Sequence, residues 1–328
     1  MGLMHTMDIN NVRWKQRCQI SLCFLTALIF LAGGCAGKRE VEESPEYENT
    51  NTGTTDRRAA EIEIDNMEEE LNIQEAEIQN SVLLEDLTAQ IEEAVRPEQE
   101  KGSLVAVYVE ELSSGDYAVV SDQPMESASL IKLYIAGCAY ERMEELKAQE
   151  SYENETEEMI RLMISVSDNQ AANTIVRRLG QGDAKKGMEA VNQFCLSHEY
   201  TETSMGRLML DLEAETDNYT SVIDCGKFLR DIYSGRLAGA DSILAYMKQQ
   251  ERIGKIPAGV PEGIVTANKT GELSDVENDA AIVYTDTKDY VICVMTGQLQ
   301  DVLAGRETVI SLSSLVYQYM DNNYQMYR

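Results

Sequence analysis

Strand-forming segments stand at both ends of the C-terminal three-quarters of this chain, and only helical periodicity lies between them. Leu104 to Leu112 is rich in valine, Ser113-Ser114-Gly115-Asp116 is a turn, and Tyr117 to Val120 reads as the returning strand. From Ser127 to about Leu212 apolar residues recur mostly at helical spacing, and Ser221 to Ser234 and Asp241 to Gln250 add further helices. Strand patterns resume at Val265 to Thr270, Ala281 to Thr285 and Tyr290 to Thr296, with Asp286 to Asp289 as a hairpin loop. A last amphipathic helix is expected over Thr308 to Tyr319. Strands so far apart can share one sheet only if the helical stretch loops out as a lobe of its own. The expected fold is therefore α+β (α/β in the broad sense). An antiparallel five-stranded sheet is flanked by helices and assembled from both ends of residues 81–328, with an inserted all-α lobe. Ser81 is read as the cap of an opening helix that carries Leu84, Leu87, Ile91 and Val95.

The N-terminal quarter has a different texture. Arg13, Lys15 and Arg17 precede an apolar run from Ile20 to Ala32, which ends in Leu31-Ala32-Gly33-Gly34-Cys35. That run is short for a membrane span, which needs roughly 20 apolar residues, and fits the apolar centre of a secretory signal. Small residues directly before a cysteine resemble a bacterial lipobox, so residues 1–35 are expected to be a lipoprotein signal, with Cys35 the lipidation site. Residues 36–60 are polar and turn-rich; beyond Ala59 the chain is helical in pattern and very acidic. We read 36–80 as a spacer that holds an exported domain off the membrane. Its apolar stripe (Ile64, Met67, Leu71, Ile78) is too brief for a firm coiled coil, and a monomer is expected. The net charge of −29 would repel nucleic acid, and no basic stripe offsets it. Cys138, Cys195, Cys225 and Cys293 are widely spaced and read as buried thiols, although export would permit a disulfide.

Three short stretches carry the chemistry: Ser129-Leu130-Ile131-Lys132, Ser167-Asp168-Asn169 and Lys269-Thr270-Gly271. With His5 and His198 the only histidines, a Ser-His-Asp triad or a multi-histidine zinc site has almost nothing to build from. No metal or cofactor is expected. On a helix, positions three apart share a face, so the Ser129 hydroxyl and the Lys132 amine can meet. Lysine activates a serine only when neutral, and both burial and a second cation, here assigned to Lys269, favour the neutral amine. Ser167 can relay a proton to a leaving nitrogen, and Asn169 can hold both Lys132 and a substrate amide; Asp168 reads as a structural loop residue. Lys269 and Thr270 can clamp a substrate carboxylate, and Gly271 lets substrate lie against the strand edge. The backbone N–H groups of Ser129 and Glu272 can form an oxyanion hole.

Taken together, these motifs resemble the class A β-lactamases and serine penicillin-binding proteins. Glu126 to Leu133 (ESASLIKL), Ile160 to Asn173 (IRLMISVSDNQAAN) and Ile256 to Leu273 (IPAGVPEGIVTANKTGEL) all read like class A segments. The resemblance covers about Ser81 to Arg328. It implies a serine hydrolase that opens β-lactams through an acyl-Ser129 intermediate. Two features depart from the family. The first two motifs are closer together than is typical, and matching Thr203 and Arg207 to the family pattern puts Met209 where a glutamate activates the deacylating water. Asp211, Glu213 or Glu215 could substitute from a shifted loop, but we read them as solvated. Two alternatives stay open: a D-Ala-type peptidoglycan carboxypeptidase or penicillin-binding protein with slow deacylation, and a non-catalytic envelope protein that keeps the motifs as relics.

Overall fold

The computed structural model describes residues 81–326; the signal segment with Cys35 and the spacer 36–80 lie outside them. Helix α1 (Glu85–Glu100) leads into strands β1 (Leu104–Glu111) and β2 (Tyr117–Val120). A two-residue strand β3 (Met125–Glu126) and a 3-10 turn (Ala128–Leu130) introduce the helical insert. The insert comprises α2 (Ile131–Glu141), α3 (Met143–Lys147), α4 (Glu155–Ser165), α5 (Asn169–Leu179) and α6 (Ala184–Ser197). Strand β4 (Tyr219–Thr220) pairs with β3, and α7 (Val222–Tyr233) and α8 (Ala240–Met247) follow. A second 3-10 turn (Ile256–Gly259) precedes β5 (Val265–Leu273), β6 (Val276–Tyr284), β7 (Tyr290–Gly297) and α9 (Val302–Met326).

The sheet is antiparallel in the order β2-β1-β7-β6-β5, so the first strands lie beside the last, as the sequence pattern requires. Both faces are covered. Ala106 and Tyr108 of β1 join Ala280, Ile282 and Cys293 in a core shared with α2, α5 and α7. Val105, Val107 and Val109 face a second core with α1 and α9. Strands covered on both faces lose the apolar–polar alternation and read as continuous hydrophobic runs, which is how β1 and β7 stand out. Leu87, Ile91 and Val95, each wholly buried and each contributing about 2 kcal/mol, fasten α1 to the sheet. The four described cysteines are free and buried.

Three local expectations need correcting. Ser81 does not cap α1: the cap position is Leu84, which makes no side-chain cap bond. Instead the segment before α1 covers the outer edge of β2, where Tyr117 N donates to Val82 O (3.0 Å) and Leu84 N to Tyr117 O (2.7 Å). Strands β5 and β6 are longer than their apolar runs. Glu277, Asn278 and Asp279 look like loop residues in sequence, yet all three are buried, each with a partner. The final helix also begins earlier, at Val302.

Candidate active site

Helix α2 is buried from Ile131 to Ala139, Lys132 included. A helix apolar on every side belongs in the middle of its lobe, and a lysine placed there must find partners or lose its proton. Ser129 sits in the 3-10 turn that opens this helix, entered through Ala128 at φ +48°. Ser167 is also left-handed, at φ +62°. Each such residue other than glycine costs about 1–2 kcal/mol, and strain of this kind concentrates where side chains are aimed at a common point. Asp168 holds the second turn: its Oδ1 accepts from Ala171 N at 2.7 Å and so caps α5. Its structural reading holds, and the cap is worth about 1 kcal/mol.

Two of the three sequence motifs meet at Lys132, and the third joins them through Ser167. Lys132 Nζ lies 2.6 Å from Ser167 O, 2.7 Å from Asn169 Oδ1, and 3.1 Å from both Ser129 Oγ and Ser167 Oγ. The two shortest contacts are to carbonyl oxygens, which only accept. A neutral amine has two N–H donors and one lone pair, so donating to both carbonyls leaves the lone pair for a hydroxyl. Lys269 Nζ reaches the same Ser167 Oγ at 2.9 Å and Thr270 O at 2.8 Å. Ser167 thus stands between two amines.

Strand β5 is pressed against the nucleophile. A methyl group on Gly271 would meet Ser127 O at 2.8 Å, Ala128 Cβ at 3.1 Å and Ser129 N at 3.2 Å. Only glycine lets the strand approach that closely. Asn278 of β6 fixes the other side: its Nδ2 donates to Glu126 O at 2.9 Å and its Oδ1 accepts from Thr296 N at 2.9 Å.

Burial pushes the Lys132 amine down to about 7; the Asp168 carboxylate opposes this and the Arg252 guanidinium adds to it. Lys269 is pushed well below the ordinary lysine range, again by burial first and then by the charges of Lys132 and Arg252. Arg252, outside all three motifs, thus acts on both amines, and the fully buried Lys269 is bonded to Ser167. Sequence reasoning passed over Arg252 because a lone arginine in a loop carries no pattern.

Met209 belongs to a loop fastened to α5 by one side chain. Asn173 accepts from Met209 N at 2.8 Å and donates to Met209 O at 3.0 Å. The loop base is closed by Arg207 and Asp217 (2.9 Å) and by Asn218 Oδ1, which accepts from Gly206 N and Arg207 N. Met209 is 8% exposed. Asp211, Glu213 and Glu215 all point to solvent, in line with the solvated reading.

A profile of the Beta-lactamase enzyme family matches residues 86–320. The chain belongs to that family. Among solved structures it is similar to PBP-A and to the PBP-A L158E mutant in an acyl-enzyme complex with penicillin G. The latter is 26% identical at TM-score 0.64, over 73% of this chain and 98% of that one. It also shares the fold of a β-lactamase from Sphaerobacter thermophilus DSM 20745 (21% identity, TM-score 0.61, 71% and 97% covered). A variant of the last common ancestor of Gram-negative class A β-lactamases matches similarly (20%, TM-score 0.62, 73% and 99%). Comparison with curated protein sequences returned no significant match. Within this β-lactamase-family serine hydrolase, the groups that sequence reasoning missed are Arg252, Lys255, Glu277 and Arg306. They are scattered over more than fifty positions, and only the packing of β5, β6 and α9 brings them together.

Proposed function

We propose that this protein is a serine acyl-transfer hydrolase that takes β-lactams as acyl donors through an acyl-Ser129 intermediate, with deacylation as its slow step. One observation carries the acylation half: Lys132 Nζ lies 3.1 Å from Ser129 Oγ and all its hydrogen-bond partners are uncharged. A neutral Lys132 takes the Ser129 proton as the oxygen bonds to the donor's carbonyl carbon. The N–H groups of Ser129 and Glu272 then stabilise the oxyanion. When the amide C–N bond breaks, Ser167 hands its hydroxyl proton to the leaving nitrogen and is reprotonated from Lys132, which restores the amine. Water must then split the ester.

Support for slow deacylation comes from Met209. It occupies the loop position at which the class A pattern has its water-activating glutamate, and a thioether cannot take a proton. The penicillin G acyl-enzyme of the PBP-A L158E mutant, at 26% identity, is in keeping with the acylation half of the reading. Intact-mass spectrometry with penicillin G, followed over time, tests it. The expected result is one stoichiometric adduct that persists and is absent in Ser129→Ala. Rapid nitrocefin turnover at catalytic enzyme concentration would reject slow deacylation, and the absence of any adduct on folded protein would favour a binding role.

We also infer that the domain is exported and held at the cell membrane by lipid on Cys35. The lipobox-like run before that cysteine supports it. Metabolic labelling with a fatty acid, lost in Cys35→Ser, is the measurement.

A further inference from the structure

Thr270 and Glu272 lie two residues apart on β5, so their side chains share one face of the strand. Both line a pocket of about 280 Å³ together with Arg252, Lys255 and Arg306. Thr270 Oγ1 is buried there without a partner among the described residues. The pocket holds three cations. Two of them share Glu277, which is fully buried: its Oε2 is 2.7 Å from Lys255 Nζ and its Oε1 is 2.7 Å from Arg306. Glu277 is thus pinned from both sides. Glu272 is the looser carboxylate. Its Oε2 is 2.6 Å from Arg252 and its Oε1 3.3 Å from Lys255, with Glu272 30% and Arg252 49% exposed. Burial works against its ionisation, but Lys255 and Arg252 outweigh that and hold the carboxyl below its ordinary range.

A donor carboxylate reaching Thr270 would seek the unpartnered hydroxyl and a nearby guanidinium. In this chain the guanidinium already has a carboxylate, and that carboxylate comes from the residue whose backbone N–H is assigned to the oxyanion hole.

We propose that the Glu272 side chain is a resident carboxylate that occupies the donor's anion subsite, making Glu272 a specificity-determining residue that selects against acyl donors bearing a free carboxylate. This rests on the acyl-transfer reading above. A donor anion must first displace Glu272 from Arg252, and the displaced carboxylate stays close enough to repel it. A donor that is esterified or amidated at that position meets no such opposition.

The experiment compares acylation rates for penicillin G and penicillin G methyl ester. In the unaltered protein the methyl ester is expected to acylate Ser129 at least threefold faster than penicillin G. Glu272→Gln keeps the backbone N–H and removes the charge; it should raise the ratio of the penicillin G rate to the ester rate at least tenfold. Arg252→Met serves as the second variant. If Glu272 already masks Arg252, its loss shifts the acid-to-ester ratio by less than twofold in the Glu272 protein and abolishes the gain in the Glu272→Gln protein. An unchanged ratio in Glu272→Gln overturns the proposal. So does a tenfold loss with penicillin G alone in Arg252→Met, which would make Arg252 a working clamp. Failure of both compounds to label the folded, unaltered protein would bring down the acyl-transfer reading and this inference together.

Discussion

Two buried lysines, Lys132 and Lys255, are wrapped in opposite chemistry. Lys132 is surrounded by carbonyls and hydroxyls: Ser167 O, Asn169 Oδ1, Ser129 Oγ and Ser167 Oγ. Lys255 also reaches backbone oxygens, Asn278 O at 2.9 Å and Gly271 O at 3.4 Å, but has Glu277 at 2.7 Å and Glu272 at 3.3 Å. Equal burial thus leads to different work. A lysine whose hydrogen-bond partners are all uncharged can act as a base, whereas one paired with two carboxylates serves as a fastener. The difference lies in the neighbours and not in the residue type.

The largest expected effect breaks the catalytic side of this comparison. Lys132→Ala should slow acylation of Ser129 by about 10²–10⁴ while the protein stays folded, measured by stopped-flow with a reporter β-lactam. A rate within threefold of the unaltered protein would assign the base elsewhere. Substitution by methionine at each lysine addresses the structural side. Lys255→Met leaves Glu277 buried with Arg306 alone and should cost about 3 kcal/mol, read from urea denaturation. Lys132→Met removes a buried amine whose charged form is disfavoured but orphans two carbonyls; these offset, leaving stability within about 1 kcal/mol. Equal losses at the two positions would erase the distinction.

Met209→Glu is expected to have a smaller effect, confined to the second half of the reaction. Asn173 holds residue 209 by its backbone, so the loop should keep its course with a new side chain. A carboxylate there should raise the deacylation rate at least tenfold and leave acylation nearly unchanged. Decay of the adduct in intact-mass spectra is the readout, and an adduct as persistent as before would show that residue 209 does not face the ester.

The sequence exposes the acylation side of the molecule far better than the anion pocket, for a physical reason. Ser129 and Lys132 are one helical turn apart and Ser167 and Asn169 share a turn, so local geometry nearly dictates their meeting. The sheet order follows from where β-rich runs fall. By contrast, Glu277-Asn278-Asp279 looks like a polar loop because nothing local announces Lys255, Arg306 or Asn268 as partners. The depth of Lys269 is hidden for the same reason: residue type announces an amine, but its complete burial emerges only from the packed structure.

The pH dependence of acylation sharpens the account of Lys132. The neutral amine is the active form, so the rate should rise with pH through about 7, where burial has moved this group. The same displacement affects stability. Its folded-state value lies below the unfolded one, so between about 7 and the ordinary lysine range the unfolded chain holds a proton that the folded chain lacks. Stability therefore climbs with pH across that window through Lys132, and Lys132→Met should flatten the climb.

The subtlest test isolates Asp168, whose charge opposes the burial of Lys132 while its side chain caps α5. Asparagine caps a helix about as well as aspartate, so Asp168→Asn keeps Ser167 and Asn169 in place and removes only the charge. With that carboxylate gone the ammonium form of Lys132 loses a favourable partner. The acid limb of the acylation profile should then move to lower pH, with the plateau rate nearly preserved. A limb that moves upward, or stays put while the plateau collapses, would mean that Asp168 acts through the loop's geometry and that the field at Lys132 is set by burial and Arg252 alone.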